Sequence, residues 1–152
     1  MLTAKGKYGL KAMLHLADAE PGQFVLSEAI ARHNTISKKF LDTILGELRN
    51  AGLITTRKGR YGGYCLARPA SQIPVGQILR VLDGPLAPIA CASKMAYRPC
   101  EDCDDVERCR VRLVMMDVRN AIAAVLDSKT LEEMRGLRRV LDEEPVSEAT
   151  AS

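Results

Sequence analysis

The stretch from Ser37 to Arg68 constrains this chain most, because its hydrophobic period changes there from helical to extended. From Lys38 to about Asn50, Leu41, Ile44, Leu45 and Leu48 recur at spacings of three and four, the stripe of a half-buried helix. Ser37 is placed to cap that helix and Gly52 to close it. Leu53-Ile-Thr-Thr-Arg57 is then rich in β-branched residues, and Tyr64-Cys-Leu-Ala-Arg68 reads as a second short strand. Between them lies Lys58-Gly-Arg-Tyr-Gly-Gly63, a glycine-rich turn carrying two cations. The pattern predicts a helix running directly into a β-hairpin with a basic tip.

Upstream, Leu10, Met13, Leu14 and Ala17 share one face of a helix predicted from Thr3 to about Asp18, and Pro21-Gly22 breaks it. Ser27 is a candidate N-cap for a short helix over Glu28 to about His33, with Asn34 in the left-handed turn that ends it. Three helices followed by a hairpin is the order of a winged helix-turn-helix. The expected fold is therefore mainly α with a small β-hairpin wing, extended by a long C-terminal dimerisation helix. The start of the third helix, Ser37, Lys38, Lys39, Thr43 and with them Asp42, would meet base edges or phosphates. Arg57, Lys58, Arg60 and Tyr61 of the wing would reach phosphates or a minor groove. Without the wing, these helix residues would read as an ordinary solvated face. Charge supports the nucleic-acid reading: residues 1–70 hold eleven Lys/Arg against five Asp/Glu, and residues 71–152 hold eleven against fourteen.

Beyond Pro69 and Pro74, Val75, Ile78, Leu79 and Leu82 predict a short helix from Val75 to about Asp83, ended by Gly84-Pro85. A long helix is expected from about Val106 to Asp127, apolar on more than one side and so suited to its own domain and a twin. Thr130-Leu-Glu-Glu133 has the capping-box pattern and starts a last helix to about Leu141. The expected division is 1–70 as DNA-binding domain, 71–105 as connecting helix and cysteine loop, 106–141 as dimerisation and C-terminal helices, and 142–152 as a disordered polar tail.

Four of the five cysteines, Cys91, Cys100, Cys103 and Cys109, fall within one polar loop as C-x8-C-x2-C-x5-C. Disulfides, structural zinc or an iron–sulfur cluster could explain them. Zinc usually takes two closely spaced pairs, and this loop has one, Cys100/Cys103, which favours a cluster over zinc; free or redox-active thiols are the remaining reading. Cys65 reads as a core residue and His15 and His33 as surface or packing residues. The N-terminus has no secretory pattern, and no stretch approaches the ~20 apolar residues of a membrane span, so a cytoplasmic address is expected. No thioredoxin-like context surrounds Cys100-x-x-Cys103, and no catalytic His/acid arrangement or phosphate-binding glycine loop occurs, so the chain does not read as an enzyme.

Together these residues resemble the Rrf-two family of winged-helix transcriptional regulators, over about residues 1–135. The marks are Leu2-Thr3-Ala-Lys-Gly-Lys-Tyr8-Gly-Leu, Ile36-Ser37 through Leu53-Ile54, Gly59-Arg60-Tyr-Gly62-Gly63-Tyr64, Pro74 through Asp83, and the cysteine loop. The resemblance implies homodimers held by the long helix and bound to palindromic promoter DNA. In cluster-binding members it implies a two-iron or four-iron cluster on three loop cysteines, matched here by Cys91, Cys100 or Cys103, and Cys109. Loss or oxidation of that cluster changes DNA affinity, so iron, redox state or nitric oxide is the implied signal. Other members lack a cluster and answer to a partner. The fourth ligand departs from the pattern. A histidine used by some members is Arg112 here, and positions used by others from the partner's first helix are Tyr8 and Ala12. Cys103 is the expected substitute, with His15 next.

Overall fold

The computed structural model of the chain describes residues 2–143, with side chains through Leu137. The tail expected from residue 142 lies, from residue 144 on, outside the described residues. The elements are α1 (Ala4–Asp18), α2 (Ser27–Asn34), α3 (Lys38–Asn50), β1 (Ile54–Arg57), β2 (Gly63–Leu66), α4 (Val75–Asp83), α5 (Arg110–Ser128) and α6 (Leu131–Glu143).

Local rules explain most boundaries. The Thr3 and Ser37 hydroxyls accept hydrogen bonds from Gly6 N (3.1 Å) and Phe40 N (3.2 Å), capping α1 and α3. At α6 the box closes in both directions, Thr130 N donating to Glu133 Oε2 (3.1 Å) and Glu133 N to Thr130 Oγ1 (3.2 Å). Three expected helix ends need correction. Ser27 is the first residue of α2 rather than its cap, and Thr35, not Asn34, takes the left-handed conformation (φ 53°). Asn34 stays helical and donates from Nδ2 to Ile30 O at 3.0 Å. The long helix begins at Arg110, not Val106: Asp105 Oδ1 accepts from Glu107 N and Arg108 N, and Cys109 Sγ from Arg112 N. Those acceptors hold the preceding turn and make Cys109 the cap.

The core gathers Met13 and Leu16 of α1, Ile30 of α2, the Leu41/Ile44/Leu45/Leu48 stripe of α3, and Leu53, Ile73, Ile78 and Leu82. Leu131 of α6 sits in the same core, fully buried, with Leu131 N bonded to Ile73 O at 2.9 Å and Val75 N to Lys129 O at 2.9 Å. Gly9 permits the close α1–α4 crossing, because a Cβ there would stand 2.0 Å from Leu82 Cδ1.

The strands pair antiparallel with Ile54 opposite Leu66 and Arg57 opposite Gly63. Tyr64 also exchanges both backbone bonds with Val25 of the α1–α2 connection, each 2.8 Å. This ties the hairpin to the helical body. Cys65, expected in the core, is half-exposed. Side chains alternate along a strand, and Tyr64 and Leu66 occupy the face packed on the core. No helix among the described residues is long and apolar enough to cross a membrane.

Candidate DNA interface and cysteine loop

Ser37, Lys38, Lys39, Asp42 and Thr43 are exposed over the first turns of α3, opposite its buried stripe. Lys38 pairs with Asp42 (2.9 Å) and lies 3.9 Å from Glu28. The Asp42 hydrogen bond is the main cause that raises its pKa above the usual lysine value. Lys39 has no ion pair among the described residues, and Thr43 donates to Lys39 O at 3.3 Å. At the wing, Arg57, Lys58, Arg60 and Tyr61 are exposed, Tyr61 by 78%. The Arg57 guanidinium lies 4.2 Å from the Phe24 ring centroid and donates from Nη2 to Tyr61 O at 2.8 Å. Those contacts stiffen the wing tip. Sequence reasoning passed over Phe24 and Val25, whose only signal was the short apolar run Phe24-Val25-Leu26 between polar residues.

The cysteine loop is anchored by arginines of α5. Cys91 is buried in a short 3₁₀ turn, Ala90–Ala92. Arg112 Nε donates to Cys91 O at 2.9 Å, and Arg119 Nη1 donates to Ala92 O. Both residues were missed, or set aside, when the sequence was read for ligands alone. Cys100 Sγ lies 3.9 Å from Cys91 Sγ, and the Cys103 thiol neighbours that of Cys109. All four are free thiols. The Cys91 hydrogen bond, chiefly, pushes the Cys100 thiol pKa up, and burial, chiefly, pushes up that of Cys103.

This donor set fits a thiolate-bound group. Two thiolates on one tetrahedral metal at ~2.3 Å stand about 3.8 Å apart, close to the 3.9 Å of Cys91/Cys100. Among the described residues, no three ligand-type side chains converge on one point. Of the other ligand positions, Ala12 is fully buried and Tyr8 packs edge-on against Phe40. His15 stands beside His33 with ring centroids 4.9 Å apart, in a cleft no loop residue lines.

The family model described as "Rrf2: Iron-dependent Transcriptional regulator" matches residues 2–136. The chain belongs to the Rrf2 family. It is 42% identical over 137 residues to a Rhodobacter capsulatus protein named as an rrf2-like HTH-type transcriptional regulator, covering 88% of this chain and 91% of that one. The structure of CymR, the global cysteine regulator of B. subtilis, superposes with TM-score 0.73 at 34% identity, covering 90% of this chain and 97% of that one. The T. potens IscR structure superposes with TM-score 0.71 at 29% identity, covering 95% and 92%. The fold is the winged helix of Rrf2 regulators, and the chain is a DNA-binding transcriptional regulator rather than an enzyme.

Proposed function

We propose that this Rrf2 regulator works as a cytoplasmic homodimer on palindromic double-stranded promoter DNA, and that its loop holds an iron–sulfur cluster responding to iron, redox state or nitric oxide. The observation that carries this reading is the fastening of a four-thiol loop to α5 by Arg112 and Arg119. Val111, Val114, Val118, Ala121 and Val125 are exposed along α5 at alternating spacings of three and four, the pattern of a helix-pairing seam. A second copy packed there sets the separation of the two recognition helices, which half-site spacing requires to be right.

Residues 1–70 supply the DNA contacts in this reading. Lys39 and the α3 cap at Ser37 face the major groove, and Lys58, Arg60 and Tyr61 reach the backbone beside it. Cys91, Cys100, Cys103 and Cys109 supply four thiolates from one subunit, Cys103 taking the place of an external fourth ligand. When bound, the cluster contributes metal–sulfur bonds that oxidants, nitric oxide or iron shortage can break. Arg112 and Arg119 hold the Cys91 turn by protein contacts alone, so the part left to move is the exposed run from Lys94 to Arg108. That run joins α5 at its Cys109 cap, and freeing it alters the start of the pairing helix.

Protein purified without oxygen tests this by its visible spectrum and its iron, sulfide and zinc content. Iron with sulfide, and different operator affinities for loaded and stripped protein at matched salt, are expected. Equal affinities would refute the switch. In Cys103→Ala, an unchanged cluster after reconstitution would remove that residue from the ligand set.

A second reading draws on the pairing of the thiols as Cys91/Cys100 and Cys103/Cys109 and on the likeness to CymR. Here the loop carries zinc or redox-active thiols, and a partner protein or small ligand controls DNA binding. Stoichiometric zinc, or a mass loss of about two hydrogens per oxidised thiol pair, would favour it.

A further inference from the structure

Arg119 is 91% buried, at 9% relative exposure, yet has no carboxylate partner among the described residues. Burying a guanidinium against neutral acceptors alone is costly. Nε and Nη2 both donate to Asn120 Oδ1 (3.1 and 2.7 Å), and Nη1 donates to Ala92 O. Three of its five N–H groups are thus used and two remain.

Arg119 lines a cleft of about 500 Å³ between the start of the cysteine loop, α4 and α5. Ser93, itself buried, accepts from Ala96 N at 3.0 Å and keeps its own hydroxyl hydrogen to donate. Lys94 brings a second cation with no ion pair among the described residues. Asp127, the one acid on the wall, is held bidentate by Arg80 at 2.6 and 2.8 Å. Leu86, Met95 and Ala123 make the rest of the lining apolar.

From this arrangement we infer that the cleft binds a small aliphatic carboxylate. The carboxylate accepts from the spare Arg119 N–H groups, Ser93 and Lys94, and planar pairing with a guanidinium suits it. The aliphatic body lies on Leu86, Met95 and Ala123. The apolar part of the wall offers a phosphate's further oxygens no donors, whereas an aliphatic body needs none. The volume falls in the range of small-molecule sites. At 100° per residue, Arg119, Asn120, Ala123 and Asp127 centre about 170° around α5 from the valine seam, so a second copy packed on that seam leaves the cleft open. A ligand here would tie Ser93 and Lys94, two and three residues from Cys91, to α5, whatever the cysteines hold.

The test titrates full-length protein with butyrate, acetate and inorganic phosphate against a chloride control at constant ionic strength, following the Ser93, Lys94 and Asn120 amide resonances. Saturable butyrate binding is expected, about tenfold tighter than acetate because two methylenes are buried. Ala123→Leu adds three carbons to the apolar wall where the aliphatic body lies, without removing Arg119, and is expected to weaken butyrate at least tenfold while keeping the wild-type melting temperature. Arg119→Met is expected to abolish binding. If it unfolds the loop turn, Lys94→Glu is read instead, with the same loss. No saturation by butyrate, phosphate binding tighter than butyrate, or unchanged affinity in Ala123→Leu would each overturn the proposal.

Discussion

Replacing Gly63 by alanine would separate the wing from the body of the head. Gly63 has φ 132°, where a Cβ is strained whatever its surroundings. Its Cβ would also stand 2.3 Å from Val25 O and 2.9 Å from Leu26 N, roughly 1 Å inside ordinary contact. Val25 and Tyr64 exchange their two 2.8 Å bonds beside it, and a shift of that size breaks both. Each bond contributes about 1 kcal/mol net, and the backbone conformation costs about 1–2 kcal/mol. A loss of about 3–4 kcal/mol is expected, a large part of a typical small-domain stability. Gly59 is the control. It also has positive φ (104°), but nothing lies within 4 Å of its Cβ, so Gly59→Ala should cost only the backbone share. Urea melts of both variants, at equal m-value, measure the difference. If Gly63→Ala costs no more than Gly59→Ala, the Val25–Tyr64 tie contributes nothing and the reasoning fails.

Ser37→Ala removes the hydroxyl that caps α3 and should cost about 1 kcal/mol in urea denaturation, with weaker operator binding if the proposed DNA contacts at the same helix start hold. In the proposed homodimer the double variant Lys58→Ala/Arg60→Ala removes four wing cations; the slope of log affinity against log salt should flatten by about 3 to 4, and an unchanged slope would place the wing off the phosphates. Burial, first, and the neighbouring His33 hold the His15 pKa below its ordinary value. Its contribution to stability is therefore present above the unfolded value of about 6.5 and lost as pH falls through the lower folded value. Urea melts at pH 7.5 and pH 5 should differ less in His15→Gln than in the parent chain.

What could be read along the chain was what acts within about one helical turn. The Ser37 cap, the α3 stripe and the Thr130/Glu133 box each involve groups three or four residues apart, and each appears as expected. Errors arose where two local options competed for the same backbone groups. Asn34 is as good a left-handed residue as Thr35, but Ile36 N bonds back to Ala31 O and places the turn one residue later. Val106 suits a helix, yet Asp105 and Cys109 hold the chain in a turn before α5. The candidate DNA contacts could be listed from charge and position, whereas Lys38's engagement with Asp42 and Glu28 and the Phe24 shelf beneath Arg57 required the packed structure.

The sequence by itself determined a winged helix with a basic wing and a four-cysteine loop, because period, turn chemistry and thiol spacing are properties of neighbouring residues. Only the tertiary structure decided how these parts are joined. Thr3 meets Asp83 across 80 residues, Arg135 meets Ala17 across 118, and Arg112 and Arg119 reach the Cys91 turn across 21 and 27. Such contacts depend on where whole elements pack, and the apolar faces that drive packing do not specify which distant carbonyl an arginine will meet. The cysteines could therefore be singled out as a candidate site from the sequence, while their attachment to α5 became visible only in the fold.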